Sequence, residues 1–177
     1  MEKYKDKYRI ESARANWHDY NSGIYFVTIC TKDRECFLGK ISDKEMFLSE
    51  IGKYVEEQIL VISEHYPYAQ IPLWVIMPNH LHLIVKIDSD GVKRKESLNC
   101  KNKEMQKISN KQGLLSTVIC GFKQSVKRFA LLNKISFDWQ TRFHDHIVRN
   151  EIELEYIAEY IINNVFKWKE DCFCTNP

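Results

Sequence analysis

The chain predicts an α+β fold: an antiparallel sheet with helices packed on it, a sandwich of the ferredoxin-like (RRM-like) kind, plus a further helix at the C-terminus. Three observations predict it. Runs rich in β-branched and aromatic residues sit at Gly23 to Thr31, Leu73 to Met77 and His80 to Ile87. Apolar residues at helical spacing sit between and after those runs. Only Pro78-Asn79 separates the two middle strands, which reads as a tight antiparallel hairpin.

Taken in order, residues 1–22 are polar and charged and read as an N-terminal arm. The first strand, GIYFVTICT, begins at Gly23. Ser42 or Asp43 is placed to cap a helix running to about His65, with Phe47, Leu48, Ile51, Val55, Ile59 and Leu60 as its apolar positions. Pro67 and Pro72 punctuate the approach to the hairpin. Residues 88–112 hold seven Lys/Arg and few apolar residues, the composition of a basic mobile loop. Gly113 to about Leu132 is helical, with Leu114, Val118, Phe122, Val126 and Phe129 on one face and Lys123, Lys127 and Arg128 on another. Residues 139–149 hold a strand near their end. The last helix starts near Asn150, where Asn150 and Glu153 have the spacing of a capping box. No internal repeat is evident, and a length of 177 residues leads to the expectation of a single domain over residues 1–177.

The bulk properties narrow the function classes. The chain is 44% hydrophobic and 28% charged, with a net charge of +2, so any nucleic-acid surface is local rather than global. No run approaches the roughly 18 apolar residues of a membrane span, and no signal peptide is evident, so a cytoplasmic location is expected. The six cysteines lack zinc-ribbon spacing and are expected as free thiols in a reducing compartment.

Chemistry concentrates in Met77-Pro78-Asn79-His80-Leu81-His82. Alternate residues of a strand share a face, so His80 and His82 project together as half of a metal site. On the last helix, Tyr156, Tyr160 and Asn164 recur every four residues and share a face. A phenol can act as a nucleophile, and an amide oxygen one turn later can be a neutral metal ligand beside two imidazoles. Ordinary roles stay open for each: structural strand histidines, a sheet-packing Tyr160, a core Trp139 and a solvated Lys123/Lys127/Arg128 face. His144 and His146, also spaced i, i+2, read as structural or supporting groups.

The run from His80 to His82, Trp139-Gln140 with His146, and YIINN from Tyr160 resemble the REP-associated tyrosine transposases and their insertion-sequence relatives, of the HUH single-tyrosine nuclease superfamily. YFVTICT from Tyr25 and GFK at 121–123 extend the resemblance over roughly residues 8–170. The resemblance implies that His80, His82 and Asn164 bind Mg²⁺ or Mn²⁺ and that Tyr160 is the nucleophile. The implied activity is a metal-dependent single-stranded DNA endonuclease and strand transferase. It forms a 5′-phosphotyrosine intermediate on hairpin-containing DNA, as a monomer or homodimer. Tyr156, Lys123, Lys127 and Arg128 are the expected DNA contacts. The family usually has Asn-Pro where this chain has Asn164-Val165, so the helix end is a point of departure. The alternatives are a relative that binds DNA hairpins without cutting, and a metal-dependent hydrolase that uses water. Histidine ligation also implies activity that falls as pH drops through the imidazole range near ~6.5.

Overall fold

The computed structural model describes residues 18–90 and 113–174, together with a two-stranded ladder, β1 (Lys3–Tyr4) with β2 (Lys7–Tyr8). The expected basic loop falls mostly outside the described residues, as does most of the expected N-terminal arm. The main elements follow as β3 (Gly23–Cys30), β4 (Gly39–Ser42), β5 (Glu45–Leu48), α1 (Glu50–Leu60), α2 (Ile62–His65), β6 (Ala69–Met77), β7 (His80–Ile87), α3 (Leu114–Leu132), β8 (His144–Val148) and α4 (Glu151–Asn163).

Four of the strands form one antiparallel sheet in the order β6-β7-β3-β8. The first and third main strands lie side by side at its centre, which is the ferredoxin-like arrangement expected from the element order. Between β3 and β6 the chain differs from its expected course. The helix does not begin at Ser42 or Asp43. Instead β4 and β5 form a hairpin, turned by Asp43 and Lys44 at φ 52° and 65°. Two consecutive left-handed residues make a turn whose twist matches paired strands. Met46 and Leu48 point inward while Glu45 and Phe47 point outward, a period of two that a helical count of the apolar residues obscured. The helix starts after Ser49, whose hydroxyl accepts from the Gly52 amide at 3.1 Å. β6 begins earlier than expected, at Ala69, and takes Pro72 into an irregularity between Gln70 and Leu73, where the missing N–H breaks no ladder bond.

Helices α1 and α3 cover one face of the sheet. There Tyr25, Val27, Ile29, Leu81, Leu83, Val85 and Ile87 pack against Ile51, Val55, Ile59, Leu115, Val118, Ile119, Phe122 and Val126 in a continuous core. Trp139 belongs to this core. Gly121 of α3 lies against the end of the Tyr66 side chain. A Cβ there would overlap the hydroxyl of Tyr66. Among the described residues, no helix is long and apolar enough to cross a membrane. Cys30, Cys36, Cys120, Cys172 and Cys174 are free thiols.

Candidate active site

Strand register assembles the site on the other face of the sheet. Thr28 pairs with His82 and Cys30 with His80, while Val75 and Met77 flank them from β6. Paired residues point to the same side, so the two histidines, Thr28, Cys30 and Phe26 share one surface. Both imidazoles are fully buried. Desolvation lowers both pKa values, His80 to about 2 with help from His82 and Arg34, and His82 to about 4. The pair is therefore neutral, the state a metal ligand needs.

Hydrogen bonds orient the rings. Asn79 is buried, and its amide nitrogen donates to the carbonyls of Arg34 (3.0 Å) and Phe173 (2.8 Å). Its oxygen consequently faces His80 Nδ1 at 2.9 Å and must accept a proton from it. That assigns the Nδ1–H tautomer to His80 and leaves Nε2 with a bare lone pair. His82 Nδ1 lies 2.9 Å from the Thr28 hydroxyl, which can donate or accept. His82 can therefore hold its proton on Nε2, donating to His80 Nε2 at 3.0 Å, or shift it to Nδ1 and bare a second lone pair.

The last helix brings the phenol. Asn150 caps it, accepting from the Glu153 amide at 2.9 Å. Glu153 in turn accepts from the Arg149 amide and meets His146 Nε2 at 2.7 Å. Ile161 is the helix residue most deeply packed on the sheet side, with Leu154, Ile157 and Ala158 partly buried beside it. Tyr160 places its hydroxyl 3.2 Å from His82 Nε2, its ring edge-on to His82 and Phe26. The ring is 45% exposed. Burial raises its pKa, and a hydrogen bond with Asn164 works in the opposite direction. Tyr156, one turn earlier, is 70% exposed. Val165 does not carry the helix away: Asn164 keeps helical torsions and the chain turns on through Lys167 into a short 3-10 segment at Trp168–Glu170. Asn164 is buried, and its side-chain oxygen has no hydrogen-bond partner among the described residues.

One residue was missed by sequence reasoning. Asp171, beyond the helix, brings Oδ2 to 3.8 Å from His80 Nε2, and ligand atoms of His80, His82 and Asp171 all lie within 4.8 Å of one another. The segment carrying it covers the histidines: the Phe173 ring lies 4.7 Å from His80 and beneath the Arg34 guanidinium at 4.8 Å. An aspartate near the end of a chain has no periodic signal, so nothing in the sequence marked it.

The donor set suits a divalent metal. Neutral imidazoles, a carboxylate and an orphaned amide oxygen are the groups that bind such ions. The Nε2 atoms are 3.0 Å apart, and neighbouring ligands about 2.1 Å from an octahedral ion stand about 3.0 Å apart.

The expected basic contacts sit elsewhere. Lys123, Lys127 and Arg128 ride on α3, in the helix layer across the sheet from the histidines. Lys123 Nζ donates to the carbonyls of Gln140 (2.6 Å) and Thr141 (3.3 Å), Lys127 pairs with Asp138 at 2.9 Å, and Arg128 is exposed. His144 and His146 pair with Thr28 and Phe26, which puts both on the histidine face at the sheet edge.

No protein-family model matches the chain. A Haemophilus influenzae protein described as an uncharacterized protein is 36% identical over 163 residues, covering 90% of each chain. The fold is similar to that of a REP-associated tyrosine transposase solved bound to a REP hairpin. The TM-score is 0.54 at 18% identity, over 89% of this chain and 74% of that one.

Proposed function

The chain belongs to the family of that Haemophilus influenzae protein and has the fold of a REP-associated tyrosine transposase, and on that premise we propose that it is a transposase-like enzyme that cuts and rejoins single-stranded, hairpin-containing DNA through a phosphotyrosine. The observation that carries the reading is the convergence of Tyr160 Oη, His82 Nε2 and His80 Nε2 within 3.2 Å of neighbour to neighbour. The phenol thus meets one neutral imidazole that is itself in contact with a second.

In this reading His80, His82 and Asn164 hold Mg²⁺ or Mn²⁺, which would polarise the scissile phosphate as a Lewis acid. Tyr160 Oη attacks phosphorus and the P–O3′ bond breaks. The products are a 5′-phosphotyrosine and a DNA 3′-oxygen that takes up a proton. The reverse attack by a 3′-hydroxyl restores the phosphodiester and returns a proton to the phenol. Burial works against the phenolate and the Asn164 hydrogen bond favours it. The half-exposed ring gives the departing proton a route to water. Tyr156 offers a base-stacking ring beside the nucleophile. Lys123, Lys127 and Arg128 would serve a strand that wraps to the helix layer, with Lys123 and Lys127 exchanging their present partners for phosphate.

A second reading, DNA-hairpin binding without cleavage, is favoured by the burial of both histidines under the 168–174 segment. Labelled single-stranded hairpin oligonucleotides, incubated with Mg²⁺ or Mn²⁺ and run on a denaturing gel, separate the two. A covalent protein–DNA adduct that disappears in Tyr160→Phe supports the enzyme. Bound but uncut DNA supports the binder, and cleavage without an adduct points to a hydrolase using water.

A further inference from the structure

We propose that Asp171 is itself a metal ligand, so that the segment after the last helix is part of the metal centre rather than a tail laid over it. The inference rests on the metal reading above and extends it beyond the helix.

Lone-pair bookkeeping supports it. His80 Nε2 is bare, because Asn79 claims the proton on Nδ1. His82 Nε2 carries at most one proton, and Asp171 Oδ2 carries none in its ionised state. Three potential ligand atoms therefore lie within 4.8 Å of one another with at most one hydrogen between them. The Asp171 side chain is 5% exposed, and its Oδ2 lies 3.8 Å from His80 Nε2. A neutral imidazole offering a lone pair gives a buried carboxylate no compensation. A cation among the three atoms would.

The amide oxygen of buried Asn164, which has no hydrogen-bond partner among the described residues, supports the metal reading on which this proposal rests. It belongs to the residue that hydrogen-bonds Tyr160, whose hydroxyl touches His82. A cation or a water molecule there would satisfy that acceptor.

The segment is fixed where the carboxylate is needed. Phe173 N donates to Asp171 Oδ1 at 2.7 Å, which holds that oxygen back and turns Oδ2 toward His80. The Phe173 carbonyl is gripped by Asn79 and the Cys172 carbonyl by Arg34 at 3.3 Å. Asn79 thus sets the tautomer of one ligand and the position of another. Chemically, two imidazoles and a carboxylate suit Mn²⁺, Fe²⁺ or Zn²⁺ better than Mg²⁺, which favours all-oxygen surroundings.

The test is titration of the full-length protein with Mn²⁺ by calorimetry, for the wild type, Asp171→Asn and Asp171→Glu. Asp171→Asn is expected to weaken Mn²⁺ about tenfold or more, with most of the affinity kept by Asp171→Glu. In metal-free buffer Asp171→Asn should melt no lower than the wild type, since it removes a carboxylate facing lone pairs. Affinity within twofold of the wild type for Asp171→Asn, or an equal loss in both variants, would overturn the proposal. Adduct formation separates the two levels. Unaltered Mn²⁺ affinity in Asp171→Asn, beside a wild-type adduct that needs Mn²⁺, removes Asp171 alone. A wild type that binds no Mn²⁺ removes the metal reading with it.

Discussion

The two faces of the central sheet come from the same strands and are built on opposite principles. On one, Tyr25, Val27, Ile29, Leu81, Leu83 and Val85 are sealed under α1 and α3. On the other, their chain neighbours Phe26, Thr28, Cys30, His80 and His82 meet α4 and the C-terminal segment. The first face buries apolar area, at about 25 cal/mol per Å², and stabilises the domain. The second buries two imidazoles, a carboxylate and an amide oxygen without a partner, which costs stability. Strand alternation lets one residue step separate the two regimes. Leu83 and His82 are neighbours in sequence and back to back in function.

That contrast breaks most visibly at Tyr160. Tyr160→Phe should reduce the covalent DNA adduct to background, read on denaturing gels. The same substitution should shift unfolding in urea by no more than about 1 kcal/mol, the worth of one hydrogen bond at a half-exposed hydroxyl. A large loss of stability would make Tyr160 a packing residue.

Leu83→Ala probes the opposite face. Leu83 is fully buried in the helix-covered core. Truncation should destabilise by about 2–5 kcal/mol, measured by urea unfolding. The folded fraction should keep its Mn²⁺ affinity, because the lost methyl groups point away from the histidines. A fall in affinity together with stability would mean that the faces are coupled.

The faces also differed in how far the sequence exposed them. The core was readable because burial imposes periods: two along β3 and β7, about 3.6 along α3. His80, His82, Tyr160 and Asn164 were readable because they ride on those same periodic elements; His80 and Tyr160 both meet His82, and Asn164 meets Tyr160. Three features escaped. Asp43-Lys44 hides a turn, since neither residue advertises positive φ as glycine would, so β4 and β5 were read as helix. Lys123 and Lys127 were open to either a solvated or a phosphate-binding reading, and their partners here, two carbonyls and Asp138, lie in a loop whose position only the fold sets. Asp171 depends on where a short non-periodic segment folds back, which no local pattern encodes.

Acid should sharpen the contrast, and burial moves its position. An exposed pair would lose metal binding through pH ~6.5. Buried as they are, His80 and His82 have pKa values of about 2 and about 4 and stay neutral well below that range. The unfolded chain takes up protons below about 6.5 that the folded one refuses, so stability is full above that pH and is lost as pH falls. At about pH 5 the loss is about 2 kcal/mol per histidine, measurable by urea unfolding of chelator-treated protein. His82→Leu should flatten part of this slope. An unchanged slope would place the acid-sensitive groups off this face.

The smallest effect is expected where the two faces are joined, at the start of α4. Asn150 accepts from the Glu153 amide, and Glu153 ties the first turn to Arg149 and His146 on the edge strand. Asn150→Ala removes a cap worth about 1 kcal/mol, seen as a modest fall in the urea midpoint. Tyr160 lies more than two turns further on, beside Ile161, which is held in the sheet contact. Fraying of the first turn should therefore leave the adduct yield at saturating metal within about twofold. If yield instead falls in step with stability, the cap aims the nucleophile, and α4 acts as a rigid lever from the sheet edge to the histidines.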